Sequence, residues 1–191
     1  MNVSALNDSL LFAQKRLDEL KRLNNGNLAG AKPKDRQILI QEFFCHLVSA
    51  IEILWQVINK SKKLGIPDSQ VCSEKVLKKL GRTDPIRPLI ASLYPKTRSH
   101  REWKPLPSNP YSEEGSHFRI LVFRHWVSHN GENPFAMRWG GDEPPISLFL
   151  DPRNQTLGPS KLPAIEELEA FWSLVNRKCQ WVIENLKATR S

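Results

Sequence analysis

The sequence predicts an all-α helical bundle forming one domain, residues 1–191, with a Pro-rich loop excursion and a small β-hairpin. Apolar residues recur at spacings of three and four through long stretches near positions 10–23, 38–58 and 165–186. Clusters such as Asn24-Asn25-Gly26-Asn27 and Asn130-Gly131 interrupt these periods where helices should stop. Strand character is confined to one short run, Ile146–Leu150, set between Pro145 and Pro152.

Taken in order, Ser4 or Asn7 can cap a first helix that carries Leu10, Leu11, Ala13, Leu17, Leu20 and Leu23. Pro33 suits the first turn of a second helix, from about Asp35 to Lys60. Its wide apolar stripe, including Phe43, Phe44, Leu47, Ile51, Leu54 and Ile58, is that of a central bundle helix. Within it lie Glu42, His46, Glu52 and Gln56. Glu42 and His46 are four residues apart and can pair on one face. These polar groups either meet solvent at an edge or face the polar sector of a later helix, since burial without partners is costly.

A short basic helix is expected over Val71–Leu80 with Gly81 as its stop, and another from Asp84-Pro85 to Leu93. Residues 94–111 then lose periodicity and read as a loop insertion rich in proline. Ser112-Glu113-Glu114 opens a further helix with acids in its first turn, and Asn130-Gly131 closes it. A second loop insertion, 131–160, contains the expected hairpin between Phe135-Ala136-Met137 and Ile146–Leu150. Leu162-Pro163 leads into a last helix over about Ala164–Ala188.

The chain carries a net charge of +8, with 40% apolar and 25% charged residues, the balance of an ordinary globular protein. Between Lys60 and Lys104 twelve basic residues face four acids, which equals the whole surplus. Such a patch attracts phosphate backbones, although lysines also simply solvate surfaces. Within the loop, Lys96, Arg98, Arg101 and Lys104 surround Trp103, a pattern able to grip a nucleic-acid strand by charge and stacking. Cys45, Cys72 and Cys179 lack metal or disulfide spacing, which fits reduced thiols. No signal-peptide pattern is evident, and no run is expected to reach the ~20 apolar residues of a membrane span. A cytoplasmic location, without a membrane partner, is therefore expected.

The densest chemistry lies at Phe123–Gly131. At about 100° per residue, Glu114, His117, Arg124, His125, Ser128 and His129 fall within an arc of about 140°. Ile120, Val122, Phe123, Trp126 and Val127 lie opposite. Arginine offers a permanently charged fork to phosphate oxygens, and histidine exchanges protons near neutrality. Cleaving RNA without a metal needs both services: deprotonation of a 2′-hydroxyl, and stabilisation of the charged phosphorane. Arg124 and His129 can supply them if a loosened final turn, or a second copy, lets them act together. The same residues can also serve only to complement a helix dipole. No HExxH-like metal spacing is present, and no cofactor is expected.

Arg124-His125-Trp126-Val127-Ser128-His129 resembles the Arg-polar-x3-His signature of HEPN domains (higher eukaryotes and prokaryotes nucleotide-binding). The expected helical bundle, with a long second helix bearing an inward acid, is similar to that family. The resemblance implies a HEPN-like bundle and a metal-independent endoribonuclease. It also implies a toxin or antiphage effector, acting on RNA as a homodimer, with an antitoxin or defence-system partner. Arg124 would polarise the scissile phosphate, His129 would act as acid or base, and His125 would take the polar position. Glu52, then Glu42, would be the supporting acid, with Ser128 and His46 as further supporting groups. A non-catalytic nucleic-acid- or protein-binding module of the same fold is the alternative.

Overall fold

The computed structural model describes residues 3–23, 32–92, 111–129, 135–140, 143–150 and 159–188; at 33, 92, 114, 125–129 and the strand positions up to 161 it describes the backbone alone. The protein is an all-α bundle with a small antiparallel sheet. Its helices are α1 (Val3–Arg22), α2 (Pro33–Ser61), α3 (Ser73–Lys79), α4 (Arg87–Ser92), α5 (Glu113–His129) and α6 (Ala164–Ala188).

Helix α2 is the centre, packed by α1, α5 and α6. Pro33 occupies its first turn, where a missing N–H costs nothing. Phe44 lies among Phe43, Phe123 and Phe171, with ring centroids 5.3, 5.7 and 6.1 Å away. The Phe43 ring meets Phe44 edge-on within α2, and tilted contacts to Phe123 and Phe171 join α2 to α5 and α6, geometries that aromatic quadrupoles favour. On the other side, the Trp172 indole donates to the Leu10 carbonyl at 3.2 Å, tying α6 to α1.

One expectation is corrected by α2. Residues Lys34–Ser61 form a helix long and apolar enough, by length and composition alone, to cross a membrane. The polar residues that interrupt its apolar run include only two acids, Glu42 and Glu52, so its mean hydropathy stays high. Half of its most apolar window is buried inside the bundle.

The end of α2 is built around backbone of the left-handed type. Lys63 has φ 52° and Gly65 φ 70°. The Leu64 amide donates to the Asn59 carbonyl at 3.0 Å, the long bond of a Schellman closure. The buried Asn59 side chain then donates to the Ile66 carbonyl at 2.7 Å and accepts from its amide at 3.2 Å. A lysine in this conformation carries a steric cost of about 1 kcal/mol that glycine avoids. Lys63→Gly is therefore expected to raise the thermal midpoint by about 2–4 °C, a shift measurable by circular dichroism.

Beyond it, a 3₁₀ turn (Asp68–Gln70) precedes α3, which is shorter than the predicted Val71–Leu80 helix. The Arg87 guanidinium donates to the Leu77 and Leu80 carbonyls at the end of α3. Several cations of this basic segment are likewise matched locally. Lys60 pairs with Asp68 at 3.1 Å, Lys62 with Asp84 at 3.0 Å and Lys78 with Glu74 at 2.7 Å.

The stretch 131–160, expected as a loop insertion with a hairpin, contains β1 (Phe135–Gly140), β2 (Glu143–Leu150) and the start of β3 (Pro159–Pro163). β1 and β2 pair antiparallel with Phe135 opposite Phe149 and Met137 opposite Ser147. The unexpected third strand pairs with β2 and runs directly into α6. It lies at the edge, where Pro159 and Pro163 are tolerated because one side of the strand needs no ladder donors. The insertion expected at 94–111 lies outside the described residues except for Tyr111.

Candidate functional site at the C-terminal end of α5

Helix α5 enters the bundle and then leaves it. Ser112 begins it, its hydroxyl accepting from the Gly115 amide at 3.0 Å. Between Gly115 and Phe123 nearly every direction around the axis is covered: His117, Phe118, Arg119, Ile120, Val122 and Phe123 are all buried. Arg124 is exposed. His117 and Arg124 are seven residues apart and so point within about 20° of one another, one some 10 Å further along the axis. The same side of the helix is core at His117 and surface at Arg124. The polar sector expected from the wheel is therefore divided: His117 belongs to the interior, and the motif begins where the helix emerges.

Among the described residues, the Arg124 guanidinium has no ion-pair partner. Phe123, fully buried against Phe44 and Phe171, fixes the helix rotation that turns Arg124 outward. The helix continues through His129, its last residue. Five residues of helix separate Arg124 and His129 by about 7.5 Å of rise and about 140° of rotation. His125, Ser128 and His129 are described as helical backbone only. The loop residues Lys96, Arg98, Arg101, Trp103 and Lys104 lie outside the described residues.

The acids expected beside the motif are elsewhere. Glu52 is exposed rather than inward. Glu42 is half-buried and binds Arg16 of α1 at 2.8 Å. His46 packs on Phe12 of α1 with ring centroids 5.3 Å apart. Both positions lie about 160° around α2 from Phe44, whose ring meets Phe123 of α5. Glu42 and His46 thus face α1, away from the motif helix, and the expected Glu42–His46 pair gives way to a pairing of each with α1.

Charged residues to which the sequence assigned no part in the site hold α5 in place. Arg119, on the same side as Phe123, forms a buried ion pair with Glu167 of α6. Its guanidinium also lies 5.1, 5.5 and 5.8 Å from the ring centroids of Tyr111, Phe123 and Phe171. Near the start of α5, Glu113 binds Lys178 at 2.6 Å and also pairs with Arg177. The available signal was the four-residue spacing of Arg119 and Phe123 on one face, masked by the general basicity of the chain.

The hydrogen bond from Lys178, with the positive charges of Lys178 and Arg177, holds the Glu113 carboxyl below its usual value of 4.5 despite an opposing effect of partial burial. A carboxyl depressed on folding contributes stability above its unfolded pKa and loses it as pH falls through the lower folded value. Glu113→Gln is expected to remove part of the acid-side loss of stability below about pH 4.5. Because Glu113 is half exposed, solvent screening keeps the effect below about 1 kcal/mol. Urea midpoints across pH 3–6 check it; identical pH profiles would refute this role.

Among the described residues, no three His, Cys, Asp or Glu side chains converge as metal ligands. No family model, curated protein or solved structure matches the chain.

Proposed function

We infer that the protein is a metal-independent endoribonuclease of the HEPN type, acting as a toxin or antiphage effector. The observation that carries this reading is the emergence of α5 from the core immediately before Arg124, which leaves a permanent positive charge on the surface at the head of the Arg-polar-x3-His sequence. Arg124 would bind the scissile phosphate and stabilise charge on the phosphorane. His129 would take the 2′-hydroxyl proton or return one to the departing 5′-oxygen. His125 and Ser128 would orient the strand, while Lys96, Arg98, Arg101, Trp103 and Lys104 would hold it.

Two residues diverging by about 140° on one helix serve a common phosphate poorly. A two-fold axis beside the end of α5 would set Arg124 of one protomer against His129 of another. The homodimer is therefore part of the proposal.

RNA incubated with the purified protein in EDTA tests it. Cleavage should yield 2′,3′-cyclic phosphate and 5′-hydroxyl ends, because the 2′-oxygen attacks phosphorus as the 5′-oxygen leaves. Ends bearing 5′-phosphate, or loss of cleavage in EDTA, would sink the reading. The engagement of Glu42 with α1 and the exposure of Glu52 favour a second reading, a non-catalytic nucleic-acid- or protein-binding module. For a nucleic-acid partner it predicts RNA association that weakens steeply with salt and gives no turnover.

A further inference from the structure

A cleft of about 540 Å³ lies between α1 and α2, on the side of the bundle to which Glu42 and His46 are turned. Its size is within the range of small-ligand pockets, roughly 300–1,000 Å³. Phe12 and Ile38 form apolar walls that remain 41% and 44% exposed, whereas Phe43, Phe44, Phe123 and Phe171 are fully buried in the core. Phe12 is held in place by the Lys15 ammonium, 5.3 Å from its centroid, and by the His46 ring, inclined at 30°. At one end Arg16 is bound by Glu19 and Glu42, and with the Lys15 ammonium on Phe12 these two cations and two carboxylates sum to zero.

Three polar side chains in this cleft have hydrogen-bonding capacity to spare. Among the described residues, the Gln41 amide, the Cys45 thiol and the His46 imidazole make no side-chain hydrogen bond. Apolar and aromatic walls with a few converging polar groups, and little net charge, suit an uncharged planar heterocycle. The amide narrows the choice. It presents one acceptor beside one donor, matching the amine at N6 and the acceptor at N7 of adenine. Guanine presents two acceptors on that edge, and uracil has no N7.

We propose that the α1–α2 cleft binds an adenine base, with Gln41 reading its N6/N7 edge and Phe12, Ile38 and His46 enclosing the ring. The base can belong to a free nucleoside or to an unpaired residue of an RNA strand, since both present the same edge. The proposal is independent of any chemistry at Arg124.

Cys45 supplies the measurement. Cys179 is buried and its thiol is pushed up to about 12 by desolvation, so it stays unreactive. Exposed Cys72 is removed by Cys72→Ser. In that protein, adenosine is expected to slow alkylation of Cys45 by iodoacetamide in proportion to occupancy, while guanosine and uridine leave the rate unchanged. Gln41→Ala is expected to weaken this protection about tenfold, with the thermal midpoint unchanged. Protection by adenosine and a short oligoadenylate alike supports the pocket and assigns it to the free nucleoside. Protection by oligoadenylate alone supports it as a site for a base within a strand. No protection by either ligand, equal protection by guanosine or uridine, or full protection retained in Gln41→Ala would overturn the proposal. Protection should persist in Arg124→Ala, which separates this test from the fate of the ribonuclease reading.

Discussion

Arg124→Ala is expected to reduce EDTA-resistant RNA cleavage by about 10²–10³-fold, the cost of removing a preorganised donor to a developing negative charge. His129→Ala should lose about 10²–10⁴-fold through its proton-transfer role. The Arg124 variant should keep the wild-type circular dichroism spectrum and thermal midpoint, because its side chain is exposed and contributes nothing to the Phe44–Phe123–Phe171 cluster. Mixing the two inactive variants gives a sharper result. If each site takes Arg124 from one protomer and His129 from its partner, a mixed dimer contains one intact site and one doubly damaged site. Cleavage should then reappear on mixing and subunit exchange. Undiminished cleavage by either variant alone would end the proposed mechanism, whereas silence on mixing would remove only the shared site.

Glu167→Ala is expected to cost about 3–5 kcal/mol of folding stability, the penalty for leaving a buried charge uncompensated. Arg119 and Glu167 are only 7% and 2% exposed, so solvent cannot take the place of the lost carboxylate. Three aromatic rings around Arg119 prevent it from swinging out without opening the core. The double replacement Arg119→Met with Glu167→Leu removes both charges and should recover most of that loss. Urea denaturation of both variants checks the pair. A Glu167→Ala midpoint equal to wild type would show that the ion pair contributes little. A double variant no better than the single one would locate the loss in packing instead. The expected size of the effect follows from position: this pair fixes α5 against α6 one turn before Phe123 and hence sets how Arg124 is presented.

Much of the helical framework is legible in the chain. Helices near Val3–Arg22, Pro33–Ser61, Glu113–His129 and Ala164–Ala188 follow from apolar spacing, Pro33 in a first turn and Ser112 as a cap. The hairpin is legible too, from the β-prone run Ile146–Leu150, although its strand begins at Glu143 and so includes Pro145, expected as its boundary. Its third strand is not, since Pro159 and Pro163 argue against a strand unless it lies at an edge. The faces of α2 are harder still. Its apolar residues cover so much of the circumference that the wheel does not distinguish the side meeting α5 from the side meeting α1. Glu42 and His46 follow the α1 side because Arg16 and Phe12 are there.

The sequence by itself determined where the four long helices are and which residues form the Arg-polar-x3-His run, since both depend on spacing along the chain. Only the tertiary structure decided which polar residues are available for chemistry. His117 and Arg124 share one side of α5, but the bundle covers the first and releases the second. Burial depends on how far neighbouring helices extend along α5, and helical periodicity repeats unchanged whether or not a neighbour is there.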